Sequence, residues 1–311
     1  MHIYNSWESL KSKHDNIVIG LGNFDGVHIG HQRLIKDLVI MAKEINGTPA
    51  VFTFHPHPLA VLKPESCPPQ LLSQEYKQEI FARLGVEVLL TIPFNLKLAA
   101  LSPEDFVSMV LCEEIGVRGV VVGYNYTFGH RGRGNPELLN DLSETYGFAL
   151  KVVQPVMVER QTVSSTMIRR LIKIGDVSGA AKLLGYYPFT GGKVVVGEKR
   201  GRTLGFPTAN LEIDQEILAP ANGVYAAKIY HNGDTYFGLV NIGVKPTFHG
   251  KKRSIEVHLL DFCEDLYGKQ IKVSFIGRIR EEKKFASPHE LIKQIEMDIH
   301  EARTEWSKAR E

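Results

Sequence analysis

Cysteine is scarce: three residues in 311, Cys67, Cys112 and Cys263, lie far apart and form no CxxC pair. That spacing excludes a disulfide framework and a cysteine-rich metal site. No apolar run reaches the roughly 18 residues of a membrane span. The opening segment MHIYNSWESLKSKHDN lacks the apolar centre of a signal peptide. Neither sign of charge is in excess, since 37 Lys+Arg stand against 35 Asp+Glu for a net charge of +2. This excludes a nucleic-acid coat and a polybasic membrane binder but leaves room for a local anion site. Internal repeats and low-complexity segments are missing as well. What is present is an ordinary globular composition, 43% hydrophobic and 23% charged, long enough for about two domains. The expectation is a soluble, cytoplasmic protein bound to neither nucleic acid nor membrane. The sequence carries no signal for oligomerisation.

Through the first half, short β-rich runs alternate with longer helical patterns. Strands are predicted at 16–21, 50–54, 87–92, 118–122 and 150–153, and helices at 31–45, 74–84, 103–115 and 136–146. Nearly continuous apolar strands between helices predict a parallel sheet covered on both faces, the doubly wound α/β class. Such sheets bind ligands at the carboxyl ends of their strands. Near residue 186 the pattern changes. Strands predicted at 193–196, 224–230, 236–242, 255–261 and 271–277 are separated by Gly, Asn, Asp and Pro, without comparable helices between them. That is the pattern of an antiparallel barrel or sandwich. Leu291, Ile295, Ile299, Ala302 and Trp306 form an apolar stripe on a terminal helix, expected to pack on the barrel. The expected domains are 1–186 and 187–311.

The segment Gly22-Asn23-Phe24-Asp25-Gly26-Val27-His28-Ile29-Gly30-His31 joins the first of these strands to the first helix. Gly22 and Gly26 let the backbone approach a ligand closely. A helix N-terminus suits phosphate. His28 and His31, three apart, share one face there. Two imidazoles can donate hydrogen bonds to a phosphate whose charge grows during displacement. This segment resembles the signature of the HxGH nucleotidyltransferase superfamily, whose members transfer AMP or CMP from a nucleoside triphosphate and release pyrophosphate. Class I aminoacyl-tRNA synthetases share the HIGH element, so the motif leaves the acceptor open. Thr53-Phe54-His55-Pro56-His57-Pro58 follows the second strand, where His57 can touch a substrate. Gly123-Tyr124-Asn125-Tyr126 follows the fourth, with Arg131 and Arg133 beyond. Ser164 and Thr166, with Arg169 one turn on, open a helix; they can cap it and also hold a triphosphate tail. Together these segments resemble the bacterial FAD synthetase module.

The segment from Gly197 to Leu211, GEKRGRTLGFPTANL, is Gly-rich and basic, suited to a phosphate chain. It contains Arg202 and Gly205, and its Thr208 and Asn210 carry oxygens of the kind Mg²⁺ accepts. Glu256 alternates with apolar neighbours, where a carboxylate can take a proton from a hydroxyl; an exposed strand residue is the alternative. With GVYA at 223–226, NIGVKPT at 241–247 and RIREEKKF at 278–285, the ensemble resembles riboflavin kinase from about residue 187 onward.

Almost the whole chain is thus similar to the bifunctional bacterial riboflavin kinase/FAD synthetase family. The resemblance implies a doubly wound HxGH α/β domain followed by an antiparallel β-barrel with a terminal helix. It implies two steps with ATP as co-substrate and Mg²⁺ as cofactor: riboflavin to FMN, then FMN to FAD and pyrophosphate. It implies Glu256 as catalytic base, Thr208 and Asn210 as the Mg²⁺ residues, and His28 and His31 as transition-state binders. Nucleotide and phosphate contacts are implied for Gly22, Asn23, Phe24, Asn125, Ser164, Thr166 and Arg169, and for Gly197, Arg202 and Gly205. Many members carry Asp where this chain has Asn125. His57, Arg278, Arg280 and Glu281 are implied flavin contacts. One alternative is a single active module, with the other a flavin-binding or regulatory unit.

Overall fold

The structure is a computed structural model and describes residues 1–197, 201, 204–247 and 250–308. The chain divides into two compact units, Met1–Pro69 with Ser73–Ser164, and Gln70–Leu72 with Ser165–Glu311.

The first unit is built on six parallel strands: β1 (His2–Tyr4), β2 (Val18–Leu21), β3 (Pro49–Phe54), β4 (Val88–Ile92), β5 (Gly119–Gly123) and β6 (Ala149–Val153), in the order β1-β4-β3-β2-β5-β6. Their continuous apolar sequences follow from burial on both faces. Ile19, Leu21, Phe52, Leu90 and Val120 enter one core cluster, while Val18, Val51, Leu89 and Val121, one residue out of phase, are buried on the other side. The helix Ile29–Glu44 covers that second side, bringing Leu34 and Leu38 against Gly20. β1 was not predicted; three residues at a sheet edge carry too short a pattern. The helix predicted at 103–115 is a short α turn, Pro103–Asp105, running into π-helical turns at Phe106–Ile115. A small ribbon, β7 (Met157–Val158) with β8 (Gln161–Thr162), completes this unit.

In the second unit, β9 (Phe189–Val195), β10 (Ala209–Ile213), β11 (Gly223–His231), β12 (Asp234–Thr247), β13 (Gly250–Leu259) and β14 (Gln270–Arg280) close an antiparallel barrel in the order β10-β13-β12-β11-β14-β9. Closure leaves no open edge. Leu211, Tyr225, Val240, Ile255, Val257 and Phe275 fill its interior. The barrel and terminal helix are those expected. The segment read as a phosphate loop is different: its last part is strand β10, because Asn210, Leu211, Glu212 and Ile213 alternate once Pro207 is passed. The helix Pro288–Lys308 lays Ile299, Ala302 and Trp306 against Val224, Ala226 and Leu239 on the outer face. Helices Ser165–Ile174 and Val177–Leu184 also belong here, with Val177 in the barrel core and Ser178 Oγ donating to the Ile276 carbonyl at 3.0 Å.

Candidate functional site

β2 ends at the middle of the parallel sheet, where the strand order passes from β3 on one side to β5 on the other. The chain turns there through Phe24 and Gly26, at φ 49° and 78°. The Phe24 ring is buried and lies edge-on to His31 at 5.3 Å and to Phe81 at 5.6 Å. The Asn23 carbonyl accepts from Thr53 Oγ1 at 3.3 Å and from Lys77 Nζ at 3.5 Å.

His28 caps the Ile29–Glu44 helix, its Nδ1 accepting from the His31 backbone N–H at 3.3 Å. That bond leaves the imidazole proton on Nε2. The His28 and His31 rings stack, centroids 3.6 Å apart and planes 14° from parallel. A Cβ at Gly30 would meet the His28 ring at 3.2 Å, so the glycine lets the imidazole fold over the helix end. Burial lowers the His28 pKa to about 4. Burial first, then the charges of His28 and Lys77, hold His31 well below the ordinary range. At neutral pH each ring is therefore a neutral donor beside a helix N-terminus, an arrangement suited to an anion. His31 Nδ1 is enclosed and has no hydrogen-bond partner among the described residues, a condition that points to a partner from outside the protein.

His57 caps the Pro58–Leu62 helix through Nδ1, and its Nε2 lies 3.5 Å from Asn23 Nδ2. Gly22, Asn23, Phe24, His28, His31 and His57 are thus brought together at the carboxyl ends of β2 and β3. Asn125, Arg131 and Arg133 lie exposed beyond β5. Ser164 ends the first unit, while Thr166, exposed, and Arg169, half-buried, lie on a helix of the second.

In the barrel, strand register assembles the second constellation. Asn210, Glu256 and Asn241 are successive partners across β10, β13 and β12, and the row continues through Val224 to Arg280. Register partners share a face, here the one opposite the core residues Leu211, Ile255 and Ile242. All five line a cavity of about 380 Å³, together with Thr208 and His258. Leu291, Ile295 and Asp298 of the terminal helix form part of its wall. Arg280 Nε lies 2.9 and 3.0 Å from the two Asp298 oxygens and Nη2 lies 2.8 Å from Oδ2, tying helix to barrel. His258 donates from Nδ1 to the Pro207 carbonyl at 2.8 Å, fixing the approach to Thr208. A Cβ at Gly197 would strike the Asn210 amide, so bare backbone at 197 cradles that side chain. The alternate residues of the same strands, Ala209, Val257 and Leu259, line a second cavity of about 450 Å³ with Phe262 and Tyr267. Thr208 lines both.

Gly205 is exposed in a turn at φ 88°, and Arg202 lies outside the described residues. Arg278 and Glu281 do not line the Glu256 cavity. Arg278 Nη2 instead donates to the Asn222 carbonyl at 2.6 Å, and exposed Glu281 lies 3.7 Å from Arg278 Nη1. Sequence reasoning missed Asn241, His258, Asp298 and Lys77. A signal existed for His258, which stands two residues from Glu256 on the same strand face. Another existed for Asp298, three residues from Ile295 within the apolar stripe.

Two family models match: FAD synthetase over residues 10–167 and riboflavin kinase over residues 184–306. A Bacillus subtilis protein named bifunctional riboflavin kinase/FMN adenylyltransferase is 40% identical, covering 100% of this chain and 99% of its own. The chain belongs to the bifunctional riboflavin kinase/FMN adenylyltransferase family. Members of the same name from Listeria monocytogenes and Escherichia coli are 38% and 36% identical; they cover 94% and 93% of this chain, and 93% and 92% of their own. A crystal structure described as a macrolide-efflux protein from Streptococcus pneumoniae has a TM-score of 0.89 and 32% identity, with 97% of this chain and 98% of that one covered. No helix among the described residues is long and apolar enough to cross a membrane. In this chain the FAD synthetase match contains the stacked histidines, and the riboflavin kinase match contains the Asn210–Glu256–Asn241 row.

Proposed function

We propose that this chain makes FAD from riboflavin in two ATP-dependent steps. Residues 187–311 phosphorylate riboflavin to FMN, and residues 1–186 adenylylate FMN to FAD with release of pyrophosphate. The observation that carries this reading is the register row Asn210–Glu256–Asn241, lining one cavity that shares Thr208 with a second.

In the kinase half, Glu256 takes the proton of the ribityl 5′-hydroxyl as that oxygen attacks the γ-phosphorus of ATP, and ADP leaves. Leu239, Phe285, Leu291 and Ile295 support the flavin ring in the first cavity. Phe262 and Tyr267 support the nucleoside in the second. Thr208 and Asn210 fit Mg²⁺: both offer neutral hard oxygens, and the bare backbone at Gly197 cradles Asn210. Few protein ligands suit an ion that keeps its waters and phosphate oxygens. These are the residues that would hold it, and neutralisation of phosphate charge is the chemistry it supplies when bound. Arg280 borders the flavin, and Gly197, Arg202 and Gly205 belong to the loop that receives the phosphates.

In the adenylyl half, a phosphate oxygen of FMN attacks the α-phosphorus of a second ATP. The bond to the β-phosphate oxygen breaks and pyrophosphate departs. His28 and His31, as neutral donors at a helix N-terminus, hold the growing charge without giving up a proton. Gly22, Asn23, Phe24, Asn125 and Ser164 are assigned to the nucleotide, and His57 to the flavin. Neither constellation offers chemistry for efflux, so that description is not carried to this chain. The partners are small molecules of the cytoplasm.

The test is incubation of the purified chain with riboflavin, ATP and Mg²⁺, with the flavins separated by chromatography. FMN is expected first and FAD after it. FMN alone, or no conversion, would overturn the two-step reading.

A further inference from the structure

We propose that Lys77 is a positioning residue for adenylyl transfer, gripping from inside the fold the Asn23–Gly26 turn whose Phe24 ring packs on His31. The proposal rests on the assignment of that reaction to residues 1–186. Lys77 lies on the helix Gln74–Arg83, four residues before Phe81, so the two side chains leave one face. That face meets the turn. Phe81 takes the edge of Phe24, and Lys77 Nζ reaches the Asn23 carbonyl at 3.5 Å. Lysine is rarely buried without a partner, yet Lys77 is only 4% exposed. Burial pushes its pKa down and the buried carboxylate of Asp25 pulls it back up. A charge in such a place is held by its partners, and here they are backbone and side chain of the motif turn. Phe24 keeps a φ of 49° in that turn, uncommon for a bulky residue and sustained only by its surroundings. Lys77 and Thr53, both on the preceding carbonyl, supply them.

Lys77 also acts on the phosphate-binding end. His31 stacks on His28 and meets the ring of Phe24 from the gripped turn; the charge of Lys77 pushes the His31 pKa down, and the charge of Asp25 pushes that of Lys77 up. A cation next to an imidazole opposes its protonation, so Lys77 favours His31 as a neutral donor. Without that charge His31 takes up a proton at higher pH. If adenylyl transfer needs the neutral ring, the acid limb of its pH profile then moves upward.

The experiment uses the full chain carrying Lys77→Met, Lys77→Gln or Lys77→Arg. It reads FAD formation from FMN and ATP against pH, with riboflavin phosphorylation in the same preparations as the control for folding. Lys77→Met and Lys77→Gln are expected to lower kcat for FAD formation by about ten- to a hundredfold and to displace the acid limb to higher pH. Lys77→Arg, which keeps the charge but not the shape, lowers kcat with the acid limb in its wild-type place. The titration of the FMN phosphate is common to all chains, so the displacement between chains is the reading. Lys77→Gln retains a donor for Asn23 and serves if Lys77→Met does not fold. A wild-type kcat in the neutral variants, or a lowered kcat with an unmoved acid limb, overturns the proposal while the activity assignment stands. A wild-type chain that makes no FAD from FMN overturns the assignment itself.

Discussion

Burying His28 under the neutral form of its ring ties catalysis to a loss of stability in acid. The ordinary imidazole value is 6.5, and in the fold His28 is lowered to about 4. Between those values the unfolded chain binds more protons than the native one. Stability is therefore full above pH 6.5 and falls as the pH drops through this window toward 4. The His28 share is on the order of 3 kcal/mol, and His31, lowered for the same first reason, acts in the same direction. Urea unfolding at a series of pH values is expected to show this decline, and a shallower one in His28→Asn. Equal declines in the two chains would contradict a neutral, buried His28. At this scale the histidines were legible because the HxGH spacing sits between a strand and a helix. Lys77 was not, because in QEYKQEIFAR it reads as one of several solvated charges, and only tertiary packing turns it inward.

At the scale of elements, register and one helix make the barrel site. Glu256 is informative because β10 and β12 place Asn210 and Asn241 beside it. Register is a non-local property, and β10 itself was hidden by Gly205, Pro207 and a run of only five residues. The terminal helix, by contrast, was legible from its apolar stripe. What the stripe did not show is that Asp298, 2% exposed, would hold Arg280 there. Asp298→Ala leaves that guanidinium partly buried and without its carboxylate, at a cost of about 3–5 kcal/mol. Replacing both partners, Arg280→Met with Asp298→Leu, is expected to restore most of that stability, since no charge is then left unpaired. Urea midpoints of the single and double variants decide it; a double variant no more stable than Asp298→Ala would contradict the pairing argument.

At the scale of the whole molecule, the sequence divides where helix-rich alternation gives way to short strands. Physical packing adds what that change of pattern could not carry. The helices between Ser165 and Leu184 precede that change of pattern, yet Val177 is buried in the barrel core. Gln70, far upstream, bonds through its backbone to Glu216 and Leu218. The net charge of +2 also acquires a meaning, because anion recognition is assigned to two local arrangements and needs no basic surface. The central claim is that these two constellations perform separate steps on one flavin. The most direct measurement compares the full chain with His28→Ala/His31→Ala and with Glu256→Gln, each given riboflavin or FMN with ATP and Mg²⁺, by chromatography of the flavins. The histidine variant is expected to stop at FMN, and Glu256→Gln to convert FMN to FAD while leaving riboflavin unphosphorylated. Loss of both conversions in either variant would contradict the account.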